Sequence, residues 1–581
     1  MTDHMDSIDH EPWQLRAAIL GGLGALFGLL VWKLTRGLDT WMWTDSPFRM
    51  AVSTFLAVGG VVFAFSLERV RWHWAAAFAA LAGAVVALVA WWNGAPQDWG
   101  QGEGWQFFSS IIAVAVAVPL FQSARDRGER RVSVRAVHHH VWTNLILGAA
   151  AGAFVIASFL VLLLLSELFR LIGIDLLRDL FQEGWFPPMV AGGALGAAVG
   201  LLRDRDKVLG LLQRVATSVL SVLAPVLAAG LLIFVLALPF TGLEPLWSQT
   251  KSTTPILLIC ILGAVVLTNA VIGNAADEEA RSRVLRYAAT ALIAVMLPLA
   301  IVAAVSTGKR IGQYGYTPDR LWAAVFVAVA IGFAGFYLYA LVRGRAAWPE
   351  RLRSANIRLA LGLCGLALFL ALPIVNFGAI STRDQLARLE SGRVAPDKFD
   401  WAALRFDFGP SGRQALERVA RTGPARLQQL ARQTLKAENR WSVPGFGTGV
   451  QSTRIAPAEP PKLRPIPENT PIPPALHQRI SDTALCRQIE CRLIFDSPDR
   501  VLLVSIGCPD CGADALLYRL TPTQGWVLEQ LRPGVVDSGH GRGGQPARHR
   551  RALAEGRLEI RPVEKRQLFL DGEPLGLPFD P

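Results

Sequence analysis

The sequence predicts an all-α polytopic membrane bundle of about eleven transmembrane helices, followed by a soluble C-terminal part that is helical first and β afterwards. Three observations predict it. Between Ala17 and Asn376 about eleven apolar stretches are long enough to cross a bilayer, and after Asn376 none is; a spanning helix needs about 20 mainly apolar residues to bridge the hydrocarbon core. Only 18% of the chain is charged against 52% hydrophobic, below the ~25% charge usual for soluble domains. Tryptophans gather where interfacial belts belong, at Trp32, Trp41 and Trp43, at Trp72 and Trp74, at Trp91 and Trp92, and at Trp105 and Trp142.

Residues 1–16 form an acidic N-terminal tail, and no small-residue cleavage site follows the first apolar run, which reads as a retained helix. The expected spans are Ala17–Leu34, Phe48–Leu67, Trp74–Trp92, Trp105–Phe121, Leu145–Phe169, Phe186–Leu202, Val215–Leu238, Pro255–Ile272, Tyr287–Val305, Leu321–Val342 and Ile357–Ile374. With the N-terminus in the cytoplasm, the inner segments hold 19 Lys/Arg and the outer loops 9, the asymmetry that orients membrane proteins. An odd number of spans places the C-terminal part outside, in a periplasm. The sixth span is short and opens at Pro187-Pro188; were it re-entrant, the tail would change sides.

Within the spans, Gly192, Gly196 and Gly200 recur every four residues, as do Gly24 and Gly28. Small residues on one face let helices approach closely in lipid, within one subunit or between two. Pro225 and Pro298 lie inside spans, where each removes a backbone hydrogen bond. Ionisable residues are nearly absent from the midplane, and Asn269 is among the few strongly polar side chains there. Ion pathways rely on such groups, so a proton-coupled carrier is disfavoured. Leu171–Phe186 alternates at helical period and reads as a helix lying in the outer interface. His138-His139-His140 cannot all face one metal from a helix and reads as an interfacial anchor; no metal or other cofactor is expected.

Residues 377–440 read as an amphipathic helical segment over Thr382–Gly392 and Ser411–Ala437, with Ser411 and Gln414 as a capping box and Pro424 in the first turn of a second helix. Residues 441–478 form a linker, with eight prolines between Ile455 and Pro474. Residues 479–581 read as a small antiparallel β module, with strands near Arg492–Phe495, Val501–Ile506, Ala515–Leu520, Gly525–Leu531, Leu558–Val563 and Gln567–Leu570 and a mobile loop over Ser538–Arg551. This module holds Cys486, Cys491, Cys508 and Cys511, while Cys260 and Cys364 lie in spans. Two structural disulfides are the favoured reading for an extracytoplasmic module. A zinc knuckle and a thiol–disulfide redox site on Cys508 and Cys511 are the alternatives.

Arg310–Arg320 (RIGQYGYTPDR), then Asn356–Phe377 (NIRLALGLCGLALFLALPIVNF) leading into GAISTRDQLARLE, resembles bacterial polytopic membrane proteins of domain-of-unknown-function family 4153. The element Tyr-Gly-x-Thr-x-x-Arg, Tyr314 to Arg320, is the most specific mark of the resemblance. It implies a bacterial inner-membrane location and supplies no activity, substrate or catalytic residue. Physically, Thr317 is a natural N-cap with Pro318 at the first turn. Arg320 would then sit at the outer membrane edge, within reach of lipid phosphate or a carboxylate; an interfacial anchor on a capped helix start is the favoured reading, and a lipid or ligand site with Tyr314, Gly315 and Thr317 is the alternative.

Net charge is +12, and the part beyond Asn376 carries 29 Lys/Arg against 23 Asp/Glu. Without a concentrated basic face or a recognition motif, nucleic acid is not an expected partner. The lipid bilayer is, together with other envelope proteins. There is no P-loop, no Gly-x-Ser-x-Gly and no zinc-protease motif. The sequence therefore favours a non-enzymatic envelope protein for scaffolding, assembly or sensing that presents a periplasmic module. A transporter or lipid-handling carrier comes second, and a thiol oxidoreductase third.

Overall fold

The computed structural model describes residues 13, 15–35, 46–127, 134–243, 253–273, 275–437, 439–440, 443, 463–467, 470–482, 491–506, 513–521, 525–529, 555, 557–562, 566–570 and 573–579. They divide into two compact units, 1–449 and 450–581.

Among the described residues of the first unit, ten helical segments are long and apolar enough to cross a membrane. They comprise α1 (Arg16–Thr35), α2 (Pro47–Ser66), α3 (Trp72–Asn93), α4 (Gln101–Arg127) and α5 (Val134–Leu171). After the short α6 (Leu176–Gln182) come α7 (Phe186–Arg203), α8 (Asp206–Thr241), α9 (Thr253–Ile272) and α10 (Arg283–Tyr314). The last segment, Pro318–Ala371, is broken by a 3-10 turn at Arg345–Ala347 into α11 (Pro318–Gly344) and α12 (Trp348–Ala371), which pack on each other. Arg345 sits at φ 47 in that turn, a conformation seldom adopted by a side-chain-bearing residue. Each of the eleven expected stretches thus has its helix.

α3 exposes tryptophans at both of its ends. Trp72, Trp74, Trp91 and Trp92 are all more than half exposed, and Trp72 and Trp91 stand roughly 28 Å apart along the helix, the thickness of a hydrocarbon core. Pro225 and Pro298 lie inside α8 and α10, which continue through them. The largest apolar core is built on α10, whose Leu292, Ile293, Met296 and Leu299 are fully buried against α8, α9 and α11. Within the stretch expected as an interfacial helix, a helix forms as α6, shorter than the alternating pattern.

Beyond α12 the chain forms α13 (Phe377–Glu390), α14 (Trp401–Phe406), α15 (Gly409–Thr422) and α16 (Ala425–Lys436). Trp401, Leu404, Phe408 and Leu416 make their shared core. Asn376 and Asp400 cap α13 and α14, accepting from the backbone N–H of Ala379 (2.8 Å) and Ala403 (2.9 Å). The capping box expected at Ser411 and Gln414 is not formed. Because Pro410 can open a helix, α15 starts at Gly409, which puts Ser411 inside its first turn, and Phe408 stands at the cap without a side-chain bond. Pro424 precedes α16 as its cap residue.

The second unit contains a five-stranded sheet in the order β1 (Leu463–Ile466), β2 (Cys491–Ser497), β3 (Arg500–Ile506), β4 (Ala513–Thr521), β5 (Gly525–Glu529), with the helix α17 (Pro474–Asp482). β1 is parallel to β2 and the remaining pairs are antiparallel. The register sets Phe495, Val501, Tyr518 and Leu528 in one cross-strand row, next to Leu493, Leu503 and Leu516. Leu476 and Ile480, one helical turn apart on α17, pack on that face. A second sheet consists of β6 (Leu558–Pro562), β7 (Arg566–Leu570) and β8 (Glu573–Phe579). The proline-rich stretch expected as linker supplies β1, because its residues Leu463–Ile466 find a partner in β2. Ser538–Arg551 lies outside the described residues.

Candidate functional site at the joint between bundle and helical tail

The element Tyr314–Arg320 is the turn between α10 and α11, and it is clamped by α13. Thr317 accepts from the backbone N–H of Arg320 at 3.4 Å, with Pro318 in the first turn. Gly315 ends α10 at φ 77, and a methyl group there would collide with Asp384, Gln385 and Arg388. Those three residues hold the turn. Asp384 Oδ2 accepts the N–H of Tyr316 at 2.8 Å, and Gln385 Nε2 donates to the carbonyls of Tyr314 (2.9 Å) and Tyr316 (3.0 Å). Arg388 donates to the carbonyls of Ile311, Gly312 and Gln313 at 3.3–3.5 Å and pairs with Asp384 at 3.2 Å.

Arg320 joins the same arrangement from the other side. Its Nη1 donates to the carbonyls of Gly315 (2.8 Å) and Tyr314 (3.2 Å), and its guanidinium lies 5.4 Å from the Tyr314 ring centroid. Cations at a helix C-terminus satisfy carbonyls that have no intrahelical partner and meet the negative end of the helix dipole. Arg320 and Arg388 thus both cap the end of α10.

A second contact holds the tail to the turn before α4. Gln101 N–H donates to the carbonyl of Asp407 at 2.9 Å, and Arg413 donates to the carbonyl of Asp98 at 2.8 Å. Glu103, 8% exposed, reaches back to accept the N–H of Gly100 at 3.0 Å, closing the first turn of α4. Gly409, at φ 62, lies so close to that carboxylate that an added Cβ would meet its oxygens at 2.5 Å unless Glu103 shifted. Asp407 is hydrogen-bonded by Arg440, yet burial pushes its carboxyl above the ordinary range. Gly102, Glu103, Gln106, Trp322, Asn376 and Phe377 are among the residues lining a crevice at this joint with about 10 Å³ of space, the size of one water molecule.

Gly192, Gly196 and Gly200 lie against α1. A methyl group at Gly192 would strike the carbonyl of Gly24, one at Gly196 that of Leu20, and one at Gly200 the backbone of Ala17. Gly28 meets Pro188 in the same way. The pairs run in opposite senses along the two helices, so α7 lies antiparallel to α1 from Ala17 to Gly28, and the contact is within one subunit. Asn269 belongs to a closed ring. It donates to Tyr337 Oη (2.8 Å), which donates to Asn356 Oδ1 (2.8 Å), whose Nδ2 donates to Asn269 Oδ1 (2.7 Å). His138 Nε2 accepts from Trp142 Nε1 at 2.8 Å, and His140 lies 2.9 Å from Asp126. Among the described residues no three His, Cys, Asp or Glu side chains group to hold a metal.

Cys491 is fully buried in β2 and is not one of the two free thiols among the described residues, Cys260 and Cys364. Cys486, Cys508 and Cys511 lie outside the described residues. Sequence reasoning missed Asp384, Gln385 and Arg388, although the Asp384/Arg388 spacing of four marks a helical pair. It also missed Glu103, whose place three residues after Gly100 is a helix-start signal.

The model of a family described as a domain of unknown function, DUF4153, matches residues 40–419. The chain belongs to this family. The DUF4153 match runs from before α2 into α15, so it takes in both sides of the joint, α13 with the turn between α10 and α11. No curated protein and no solved structure matches the chain. DUF4153 membership and the many apolar helices make this a multi-pass membrane protein.

Proposed function

We infer that this DUF4153 protein is a non-enzymatic platform of the bacterial inner membrane that presents its helical tail and β module to the periplasm for scaffolding, assembly or sensing. One observation carries the reading. The most specific residues of the resemblance, Tyr314 to Arg320, spend hydrogen-bonding groups on Asp384, Gln385 and the end of α10, fixing the tail to the bundle. A carrier needs groups open to a substrate and a moving element; these residues hold two elements together. The charge asymmetry of the loops supports a periplasmic tail. A disulfide-stabilised β module suits that compartment, and it is supported by Cys491 being bonded through its sulfur and fully buried.

Two experiments test it. Fusions after Asn376 should give active alkaline phosphatase and dark green fluorescent protein; the reverse pattern would refute the orientation. A cysteine pair replacing Tyr316 and Gln385 should lock the joint under oxidation. A platform keeps complementing a deletion strain when locked. Loss of complementation that a reductant restores would favour the carrier.

A further inference from the structure

At the end of the bundle opposite the tail, five helices meet in a knot of charges. Arg16 bonds Asp204 (3.0 Å) and the carbonyl of Leu67, and it lies 3.5 Å from Glu68. Arg203 bonds Glu68 at 2.7 Å. Arg125 bonds Asp126 (2.6 Å) and the carbonyl of Ser66, with Glu68 at 3.6 Å. His140 of α5 completes the set against Asp126. The α4 helix carries Glu103 at the tail end and Arg125 at this one, roughly 33 Å away.

Within the knot three arginines face three carboxylates, so its formal charges cancel. The rim is different. Arg69 and Arg205 are exposed and Arg71 is half-buried, and none has a carboxylate partner among the described residues. Arg71 instead donates to the carbonyl of Arg125, which holds it against the knot. The Arg203–Glu68 bond brings the end of α7 to the start of the turn before α3, so Arg205, two residues beyond Arg203, comes from the same end of the bundle as Arg69 and Arg71. Beside them Trp72, Trp74 and Leu201 are 57%, 59% and 50% exposed. Three buried donors in the knot, Arg16 Nε, Ser66 Oγ and Ser123 Oγ, also have no acceptor among the described residues.

We propose that Arg69, Arg71 and Arg205 form a binding site for the phosphate of an anionic phospholipid, whose acyl chains lie along Trp72, Trp74 and Leu201. Guanidinium groups grip phosphate oxygens in pairs, and basic pockets between transmembrane helices on the inner side select anionic headgroups. The same oxygens could come from free phosphate, but the exposed apolar side chains beside the arginines match a lipid.

The test is native mass spectrometry of the detergent-solubilised full chain titrated with dioleoylphosphatidylglycerol, dioleoylphosphatidylcholine or inorganic phosphate. The glycerol lipid should bind in preference to the choline lipid. R69Q/R71Q/R205Q should weaken it roughly a hundredfold, about fivefold for each arginine. R69Q/R205Q alters only exposed side chains, so its fold is safe, and it should lose about twenty-fivefold. Substituting Arg418, Arg421 and Arg432 by Gln in the tail should change nothing. Equal binding of both lipids, or an unchanged preference in R69Q/R205Q, would overturn the proposal. Inorganic phosphate displacing the lipid headgroup at equal concentration would overturn the lipid as occupant.

Discussion

The carboxylate of Asp384 accepts the backbone N–H of Tyr316 at 2.8 Å, tying the first helix after the bundle to the turn between α10 and α11. Asp384 also pairs with Arg388, and Arg388 reaches three carbonyls at the end of α10. One side chain therefore organises both the turn and its cap.

Asp384→Ala should destabilise the helical tail by about 2 kcal/mol, since a charge-assisted bond is lost and a backbone donor is left unpaired. Limited proteolysis of residues 377–440 in the membrane-embedded protein checks it. Gly315→Ala should act in the same direction, because φ 77 disfavours a Cβ and the space is filled by α13. Arg320→Lys should be milder than Arg320→Leu, because an ammonium can still donate to the carbonyls of Tyr314 and Gly315.

Gly192→Val should cost about 3 kcal/mol by forcing α1 and α7 apart. The measurement is thermal unfolding in detergent, compared with Gly152→Ala, a position with no neighbouring atom within 4 Å of an added Cβ. The control should stay within about 0.5 kcal/mol of the parent. Equal effects at both positions would remove the close-packing argument.

Tyr337→Phe opens the ring formed with Asn269 and Asn356 and should cost about 1–2 kcal/mol, the range of a buried hydrogen bond in a membrane bundle. Asn356→Asp would place a charge in the same ring and should be worse than Asn356→Ala in yield of folded protein, read by size-exclusion chromatography.

If the β module holds two disulfides, protein denatured without reductant should expose two thiols, Cys260 and Cys364, and reduction should raise the count to the full six cysteines. Cys508→Ser should raise protease sensitivity beyond Pro474 while the bundle stays intact. About one zinc per chain, lost in that variant, would mean that the sulfurs are metal-bound thiolates instead.

The sequence by itself determined the elements. Runs of apolar residues fix which segments leave water, and the eleven stretches, the short helix α6 and most strands of the β module follow from hydropathy and period, which are local properties. The stripe at Gly192, Gly196 and Gly200 was legible as a packing face for the same reason. Which helix it packs on was not, because glycine spacing carries no address; the antiparallel match of Gly24 to Gly192 and Gly28 to Pro188 exists only once both helices stand side by side. Tyr314 to Arg320 was legible as a capped helix start, through Thr317 and Pro318. Its purpose was decided by Asp384, Gln385 and Arg388, some 70 residues away, whose polar side chains look like any solvated helix face until they meet the N–H of Tyr316 and the carbonyls at the end of α10 and in the turn. The charge knot of Arg16, Glu68, Arg125 and Arg203 is the extreme case. Each residue sits in a loop or at a helix end, where a charge is ordinary, and only the convergence of five helix ends turns them into a buried network.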